Sequence, residues 1–306
     1  MSPTVDPLSL SGVLVVFQTP YHDDESVDLE TLGVEIDHVF EAGADGLVMA
    51  MVSEVLRLSL DERRRVAEAV CGGARGRGPV VISVGAESSL LAEQLARHAE
   101  DCGAAAVMAI PPVSVDIDEI ELAGYYRRIL DATSLPLIVQ DASGYVGRPM
   151  SIELQAELLD DWGPQRVQFK PEANPVGPRL TLLHEATDGR ARVFEGSGGI
   201  ALVDSYRRGI VGTMPGADLV EPIVTLWRAL EAGDEQRAEA ISQPLIALVT
   251  LQQSLDSFLA VEKHLLVRQG VFRNTIVRGP VGFRLDEETR REVDRLYERL
   301  MQVVGD

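Results

Sequence analysis

Residues 166–173, which read Arg-Val-Gln-Phe-Lys-Pro-Glu-Ala, have the pattern of a short strand that carries one lysine near its C-terminal end. Because side chains alternate along a strand, the valine and phenylalanine are predicted on one face, and Lys170 and Glu172 on the other. Pro171 lacks a backbone N–H and is expected to end the strand directly after the lysine. A lysine also suits a solvated edge strand, so the rest of the chain has to decide between the two interpretations.

The chain alternates strand and helix eight times between residues 12 and 232, with short connections. This count predicts a closed parallel (β/α)8 TIM barrel. A doubly wound open sheet is the alternative, but it would be favoured by a phosphate-binding glycine motif after the first strand, and residues 19–22 are not one. The predicted strands are 12–17, 44–50, 79–84, 104–110, 135–141, 166–170, 192–195 and 209–214.

Past Asp218 the sequence has no strand pattern, and helices are predicted at 222–232, 235–253, 257–271 and 286–303. The first of these is expected to complete the barrel. We therefore predict a barrel domain over residues 1–232 and a helical region over residues 233–306.

The barrel prediction gives Lys170 a chemical interpretation. Active sites of these barrels lie at the C-terminal ends of the strands, where Lys170 is placed. A partly desolvated lysine has a lowered pKa and can attack a carbonyl carbon to form a Schiff base.

Composition excludes several classes of protein. The net charge of −20 without a basic patch argues against nucleic acid as a partner. No apolar run approaches the roughly 20 residues of a membrane span, and the N-terminus has no signal-peptide pattern, so a cytoplasmic enzyme is expected. Cys71 and Cys102 are predicted to be reduced thiols. The five histidines are scattered without metal-site spacing, and no metal is predicted.

The whole chain resembles the pyruvate-lyase superfamily of dihydrodipicolinate synthase and N-acetylneuraminate lyase. The resemblance implies a (β/α)8 barrel with a C-terminal helical region, and an imine between Lys170 and pyruvate or a longer 2-keto acid. It further implies a small-molecule 2-keto acid as the partner, no cofactor beyond the covalent Schiff base, and a homo-oligomer, either tetramer or dimer. The residues that carry it are Thr19-Pro20, Ser53-Glu54, Ile110-Pro111-Pro112, Lys170 and Gly196 to Gly199.

The sequence departs from the common family pattern after three strands. The usual Gly-Thr-Thr-Gly-Glu after strand two is Ala50-Met51-Val52-Ser53-Glu54 here, and the tyrosine-asparagine pair that closes strand five is Gln140-Asp141. Dihydrodipicolinate synthase has a pair of tyrosines after strand four, and this chain has Pro112-Val113 at that place. Residues 139–142, together with residues 169–172 and Ser53-Glu54, are more similar to the branch that dehydrates 2-keto-3-deoxy sugar acids such as L-2-keto-3-deoxyarabonate. We therefore predict a hydro-lyase.

Four residues are predicted to carry the chemistry. Lys170 would form the imine, and Glu172 would act as an acid or base if the strand continues past Pro171. Gln140 would orient water or a substrate hydroxyl, and Asp141 would act as an acid or cap the following turn. Tyr145 is expected in a loop, either at the surface or entering the site.

A second group is predicted to bind the substrate. Ser53 would donate to the substrate carboxylate together with nearby backbone N–H groups, while Glu54 also has a structural interpretation. Thr19 is expected to order the barrel mouth, and the glycine-rich loop to offer backbone donors to an anion. These predicted binding residues are Ser53, Val52, Glu54, Thr19, Gly196 and Ser197.

Two other functions fit the same sequence. A pyruvate-dependent aldolase or condensing enzyme would use the same enamine, because C–C cleavage and dehydration share the imine step. A barrel that binds a keto acid without turnover would need none of this chemistry.

Overall fold

Eight parallel strands form one sheet in the computed structural model, which describes residues 10–144 and 147–305. Along the sheet the strands follow the order β6-β5-β4-β3-β2-β1-β8-β7. A bridge between Phe169 and Val193 joins its two ends, and Phe169 N donates to Arg192 O at 2.9 Å. The predicted (β/α)8 barrel is confirmed, and the open sheet is excluded. The strands are β1 (Gly12–Val16), β2 (Gly46–Val48), β3 (Val80–Ser83), β4 (Ala106–Ala109), β5 (Leu137–Asp141), β6 (Val167–Pro171), β7 (Phe194–Glu195) and β8 (Gly212–Thr213).

Helices alternate with the strands and continue after the last one. Short 3₁₀ turns follow β2, at Met51–Ser53, and β8, at Ala217–Leu219. The helices are α1 (Leu29–Glu41), α2 (Leu60–Gly73), α3 (Ser89–Asp101), α4 (Glu119–Ala132), α5 (Ile152–Trp162), α6 (Val176–Ala186), α7 (Leu202–Arg207), α8 (Val220–Glu231), α9 (Glu235–Val249), α10 (Leu255–Arg268) and α11 (Glu287–Gly305).

Polar caps fix where several helices begin. Ser59 Oγ accepts from Glu62 N at 3.2 Å, and Glu62 Oε2 accepts from Ser59 N at 2.8 Å, which forms a capping box at the start of α2. Ser151 Oγ accepts from Leu154 N at 3.0 Å and caps α5. Ser88 caps α3, and its side chain accepts from Leu91 N.

Strand β6 extends one residue further than predicted. It includes Pro171, which pairs with Asp141 of β5, and Glu172 N then donates to Asp141 O at 2.9 Å. In a parallel pair alternate residues donate to a given neighbour, so a proline at an intervening position leaves the pairing intact. Consequently the side chains of Glu172 and Lys170, two residues apart on β6, point to the same face of the sheet.

Apolar side chains fill two separate spaces. Val167 and Phe169 pack outward between the sheet and the helices, as predicted from the alternation along β6. The inner face of the sheet carries a smaller apolar cluster that fills the barrel below its mouth. That inner cluster consists of Leu10, Leu14, Val16, Val48, Ala50, Val81, Ala106, Met108, Ile138, Phe194 and Met214.

Helix α10 lies against the C-terminal mouth of the barrel. It contacts both 3₁₀ turns, and Lys263 Nζ donates at 2.8 Å to the backbone oxygen of Thr19, which follows β1. The C-terminal helices therefore contribute to the same end of the molecule as Lys170. The division into regions 1–232 and 233–306 stays a prediction. Across the described ranges, none of the helices is both long and apolar enough to span a bilayer.

Candidate active site

A cavity of about 40 Å³ lies at the mouth of the barrel beside Lys170. Its walls come from β1, the turn after β2, β5, β6, the loops after β7 and β8, and α10. The lining residues are Val16, Ala50, Met51, Val52, Gln140, Lys170, Glu172, Gly196, Gly198, Met214, Gly216, Leu255, Phe258 and Glu262.

Three of the predicted catalytic side chains meet in this cavity. Lys170 Nζ donates to Glu172 Oε1 at 2.6 Å, and Gln140 Nε2 donates to Glu172 Oε2 at 2.6 Å. Gln140 pairs directly with Lys170 across β5 and β6, which places both side chains on the inner face. All three residues are buried, with 3% exposure for Lys170. Each oxygen of the Glu172 carboxylate therefore has one donor.

The Glu172 carboxyl is tuned by two opposing effects. Burial raises the pKa of Glu172 above its ordinary value, and the charge of Lys170 offsets part of that rise, as do the hydrogen bonds from Gln140 and Lys170. A carboxyl with a raised pKa exchanges protons more readily near neutral pH than an exposed glutamate. The ion pair with Lys170 is therefore suited to proton transfer.

Gly196 has no side chain, and the Lys170–Glu172 ion pair occupies the space where a side chain would lie. A Cβ atom at this position would lie 2.7 Å from Lys170 Nζ and 2.8 Å from Glu172 Oε1. Real Cβ atoms do not approach other heavy atoms so closely, so a side chain here would displace the ion pair. The glycine thus has a packing role at the site.

The turn after β2 places Val52 in the cavity wall and turns Ser53 away. Ser53 Oγ donates to Phe17 O at 2.6 Å and accepts from Ala50 N at 3.1 Å, so its one proton is already used. Thr19 Oγ1 donates to Ser53 O at 2.6 Å. Both hydroxyls fasten the turn to the end of β1, and the structure does not bring them to the cavity. The N–H groups at the start of such a turn have no partner within it.

Glu54 is likewise not in the cavity wall. Its Oε1 accepts from Lys263 Nζ at 2.5 Å, and its Oε2 accepts from Arg278 N at 3.3 Å. Lys263 Nζ also donates to Ile276 O at 2.7 Å, and its ammonium lies 4.5 Å from the centre of the Tyr21 ring. The structural interpretation of Glu54 fits this position, because the carboxylate joins the turn to α10.

Asp141 and Ser197 also have partners outside the cavity. Because side chains alternate along β5, Asp141 faces away from Gln140, and its carboxylate accepts from Ser143 N and Met150 N, each at 3.1 Å. It holds the loop after β5, as expected of a turn cap. Ser197 N donates to Glu195 Oε1 at 2.5 Å and is therefore not free for an anion.

Tyr145, the loop tyrosine that the sequence singled out, lies outside the described residues. Its predicted place, at the surface or in the site, therefore stays a prediction.

A larger pocket of about 410 Å³ adjoins the cavity on the side of β6 and β7. Glu172, Gly196 and Phe258 line both spaces, and Ser197 lines the larger one. Phe258 of α10 therefore forms part of the partition between them.

Sequence reasoning missed the acidic and basic residues that α10 brings to the site. Glu262 lines the cavity, and Lys263, which is fully buried, anchors the helix. Two adjacent charges within a run of apolar residues, Phe258 to Leu266, were the available signal. In a helix that packs on a barrel, such charges have to be paired.

Within residues 10–144 and 147–305, no group of three or more His, Cys, Asp or Glu side chains is arranged so that it could hold a metal ion. The chemistry available at the cavity is that of one amine, its neighbouring carboxyls and an amide.

Comparison with known proteins gives one consistent family. Residues 9–300 match the model of the "Dihydrodipicolinate synthetase family". The chain is 27% identical over 302 residues to L-2-keto-3-deoxyarabonate dehydratase of Azospirillum brasilense, covering 96% of this chain and 95% of that protein. It is 30% identical over 264 residues to 4-hydroxy-tetrahydrodipicolinate synthase of Chloroherpeton thalassium, covering 86% of each. The crystal structure of dihydrodipicolinate synthase from Rhodopseudomonas palustris superimposes with a TM-score of 0.88 at 26% identity, over 98% of this chain and all of that one.

Proposed function

This chain belongs to the dihydrodipicolinate synthetase family and is a lyase, and we propose that it acts through a Schiff base at Lys170 to remove water from a 2-keto-3-deoxy sugar acid. The observation that carries the proposal is the burial of the Lys170 amine in a cavity, in hydrogen-bond contact with Glu172. The chain has two lysines, and the other one, Lys263, is held by Glu54 and two backbone oxygens. Lys170 is therefore the amine available to a substrate.

Imine formation needs a neutral amine and a proton for the departing oxygen. At 2.6 Å, Glu172 can take a proton from the Lys170 ammonium, which frees the lone pair for attack on the C2 carbonyl. The attacking nitrogen passes one proton to the C2 oxygen, and the same carboxyl returns its proton to that oxygen as well. The oxygen then leaves as water, and the carbon–nitrogen double bond forms. Gln140 keeps the carboxyl in place during both transfers.

Dehydration follows from the electron-withdrawing iminium. A base removes the C3 proton, and the electron pair flows to nitrogen to give an enamine. The enamine then expels the C4 hydroxyl, which takes up a proton and leaves as water, and a C3–C4 double bond forms. Hydrolysis of the conjugated imine restores the Lys170 amine, so the net change is the loss of one water from the substrate.

The substrate carboxylate has a place beside the turn after β2. The N–H groups of Met51 and Val52 begin this turn, and both residues line the cavity. Backbone donors at such a turn suit a carboxylate. They would replace the two threonine hydroxyls that the common family pattern supplies here.

Dehydration is favoured over condensation by two observations. Gln140 stands where the family pattern has a tyrosine, and loss of hydroxide needs no tyrosine relay. The match to the keto-deoxyarabonate dehydratase also covers nearly the whole of both chains. The match to the synthase supports the alternative, an aldolase or condensing enzyme with the same enamine. No separate cofactor enters either reaction, and the homo-oligomer stays a prediction that light scattering would check.

Borohydride reduction tests the proposal. The wild type, reduced in the presence of pyruvate or a 2-keto-3-deoxy acid, should gain one covalent adduct on Lys170. The matched variant Lys170→Arg keeps the positive charge beside Glu172 but has no nucleophilic amine, so it should gain none and should not turn over. Release of a 2-keto acid lighter than the substrate by one water would identify the hydro-lyase, and release of free pyruvate would identify the aldolase instead.

A further inference from the structure

A second group of acidic side chains lies where α10 packs against the ends of β1 and β8, and one of its members lines the cavity. Glu262 of α10, Glu35 of α1 and Asp218 of the turn after β8 are all buried, with exposures of 3%, 0% and 4%. The proposed roles of Lys170 and Glu172 leave these three carboxyls unexplained. Three buried acids so close together call for a reason beyond packing.

Gln18 and Gly216 bring the three acids together. Gln18 Nε2 donates to Glu262 Oε2, and Gln18 N donates to Glu35 Oε1 at 2.8 Å. A Cβ atom at Gly216 would lie 2.5 Å from Glu262 Oε1 and 2.8 Å from Asp218 Oδ1. The ends of β1 and β8 are thus shaped around these carboxyls, as Gly196 at the end of β7 is shaped around Lys170.

The cluster has too little positive charge nearby for three carboxylates. Lys263 is the cation that interacts with Glu35 and Glu262, and its hydrogen bonds go to Glu54 and to backbone oxygens. Within the described part of the chain, Glu35 Oε2 and Asp218 Oδ2 have no hydrogen-bond partner. An ionised oxygen buried without a donor is costly, so the cluster has to hold protons.

The pKa directions agree with this geometry. Burial raises the pKa of Glu262 well above its ordinary value, and the charges of Asp218 and Glu35 raise it further, against the opposing effects of Gln18 and Lys263. Burial also raises the pKa of Glu35, and that of Asp218 to about 7. The cluster therefore retains protons at a pH where an exposed glutamate is ionised.

Glu262 is the member of this cluster that reaches the cavity. The cavity therefore has an amine with its carboxyl on the β6 side and a second, independent carboxyl on the α10 side. In the ion pair with Lys170, Glu172 already serves the imine nitrogen and the C2 oxygen. Having returned its proton to the C2 oxygen, Glu172 is a carboxylate once the imine has formed, and Glu262 is the second carboxyl of the lining that can protonate the departing C4 hydroxyl.

On the basis of the proposed function, we propose that Glu262 is the catalytic acid that protonates the C4 hydroxyl, with Asp218 and Glu35 as the groups that keep it protonated. The O–H proton of Glu262 moves to the C4 oxygen, the C4–O bond breaks with its electron pair on oxygen, and water leaves. Glu262 is left as a carboxylate and regains a proton from the water that enters to hydrolyse the imine.

Glu262→Gln tests this role, because glutamine has nearly the same shape and no acidic proton. The variant should still form the borohydride adduct on Lys170, and it should still exchange the substrate's C3 proton with deuterium from solvent. Dehydration should fall by about 10²- to 10⁴-fold, the usual contribution of a general acid. Dehydration within threefold of wild type would overturn the proposal, and so would an equal loss of adduct and dehydration in a folded variant, since that indicates a structural role.

Asp218→Asn supplies a second test that does not depend on Glu262→Gln folding well. A general acid has to be protonated, so activity is lost as the pH rises through its pKa. Without the charge of Asp218 the pKa of Glu262 falls, and the alkaline limb of the rate profile should move to lower pH. If the maximal rate falls while the alkaline limb of the pH–rate profile stays at the same pH, the proposal is overturned. Absence of any adduct in the wild type would instead defeat the proposed function itself, and this inference with it.

Discussion

Replacing Lys263 by methionine should destabilise the fold strongly, because this ammonium joins α10 to the barrel mouth. The Lys263 ammonium donates to Glu54, to Thr19 O at 2.8 Å and to Ile276 O at 2.7 Å. The residue has no exposed surface. Removing one partner of a buried ion pair typically costs about 3–5 kcal/mol, because the other charge loses its closest partner. Glu54 would keep the more distant Arg57, whose Nη1 lies 3.9 Å from Glu54 Oε2. Methionine fills most of the volume, so we expect the cost to come from Glu54 and the two carbonyl groups.

Urea denaturation followed by circular dichroism measures this cost. The matched control is the double variant in which Glu54→Gln accompanies Lys263→Met, which removes the stranded charge. It should recover at least about 1 kcal/mol relative to Lys263→Met alone, as expected for directly coupled residues. A single variant that loses less than about 1 kcal/mol, or a double variant that is less stable than the single one, would refute this explanation of how α10 is held.

Two further predictions concern the space around the Lys170 amine and the loss of folding stability at acidic pH. Gly196→Ala should lower turnover at least tenfold with the fold intact, because its Cβ would displace Lys170, whereas Gly33→Ala, which meets nothing within 4 Å, should leave steady-state turnover unchanged. The hydrogen bonds from Arg278 lower the pKa of Glu62 to about 2, so its stabilising contribution is complete above the unfolded value near 4.5 and is lost as the pH falls toward 2. Glu62→Gln, which keeps a cap for α2, should therefore flatten the loss of stability between pH 5 and pH 3, and an unchanged slope in urea denaturation would contradict this.

The sequence predicts those features that depend on local rules. Caps such as Ser59 and Ser151 act within three residues of themselves, and the eight strand–helix units follow from the periodicity of apolar residues. The inward face of β6 follows from alternation alone. Gln140 of β5 pairs with Lys170 of β6, so alternation along the neighbouring strand places the Gln140 side chain in the same cavity. These features need no knowledge of distant contacts.

The contribution of α10 could not be predicted in the same way. Lys263 and Glu54 are separated by 209 positions, and Gln18 and Glu262 by 244, so no local pattern relates them. Ser53 shows the same limit on a smaller scale. A serine hydroxyl can donate to a substrate carboxylate, but Ser53 Oγ donates its hydrogen bond to the backbone oxygen of Phe17, 36 positions away. Where a polar side chain has two candidate partners, the packing of distant elements decides between them.

Mapping the reduced adduct tests the central claim most directly, because the sequence offers two lysine amines. After borohydride reduction with a 2-keto acid, peptide mass spectrometry should find the added mass on the peptide that contains Lys170, and none on the peptide that contains Lys263. No adduct with any 2-keto acid, or an adduct on Lys263 with Lys170 unmodified, would contradict the account.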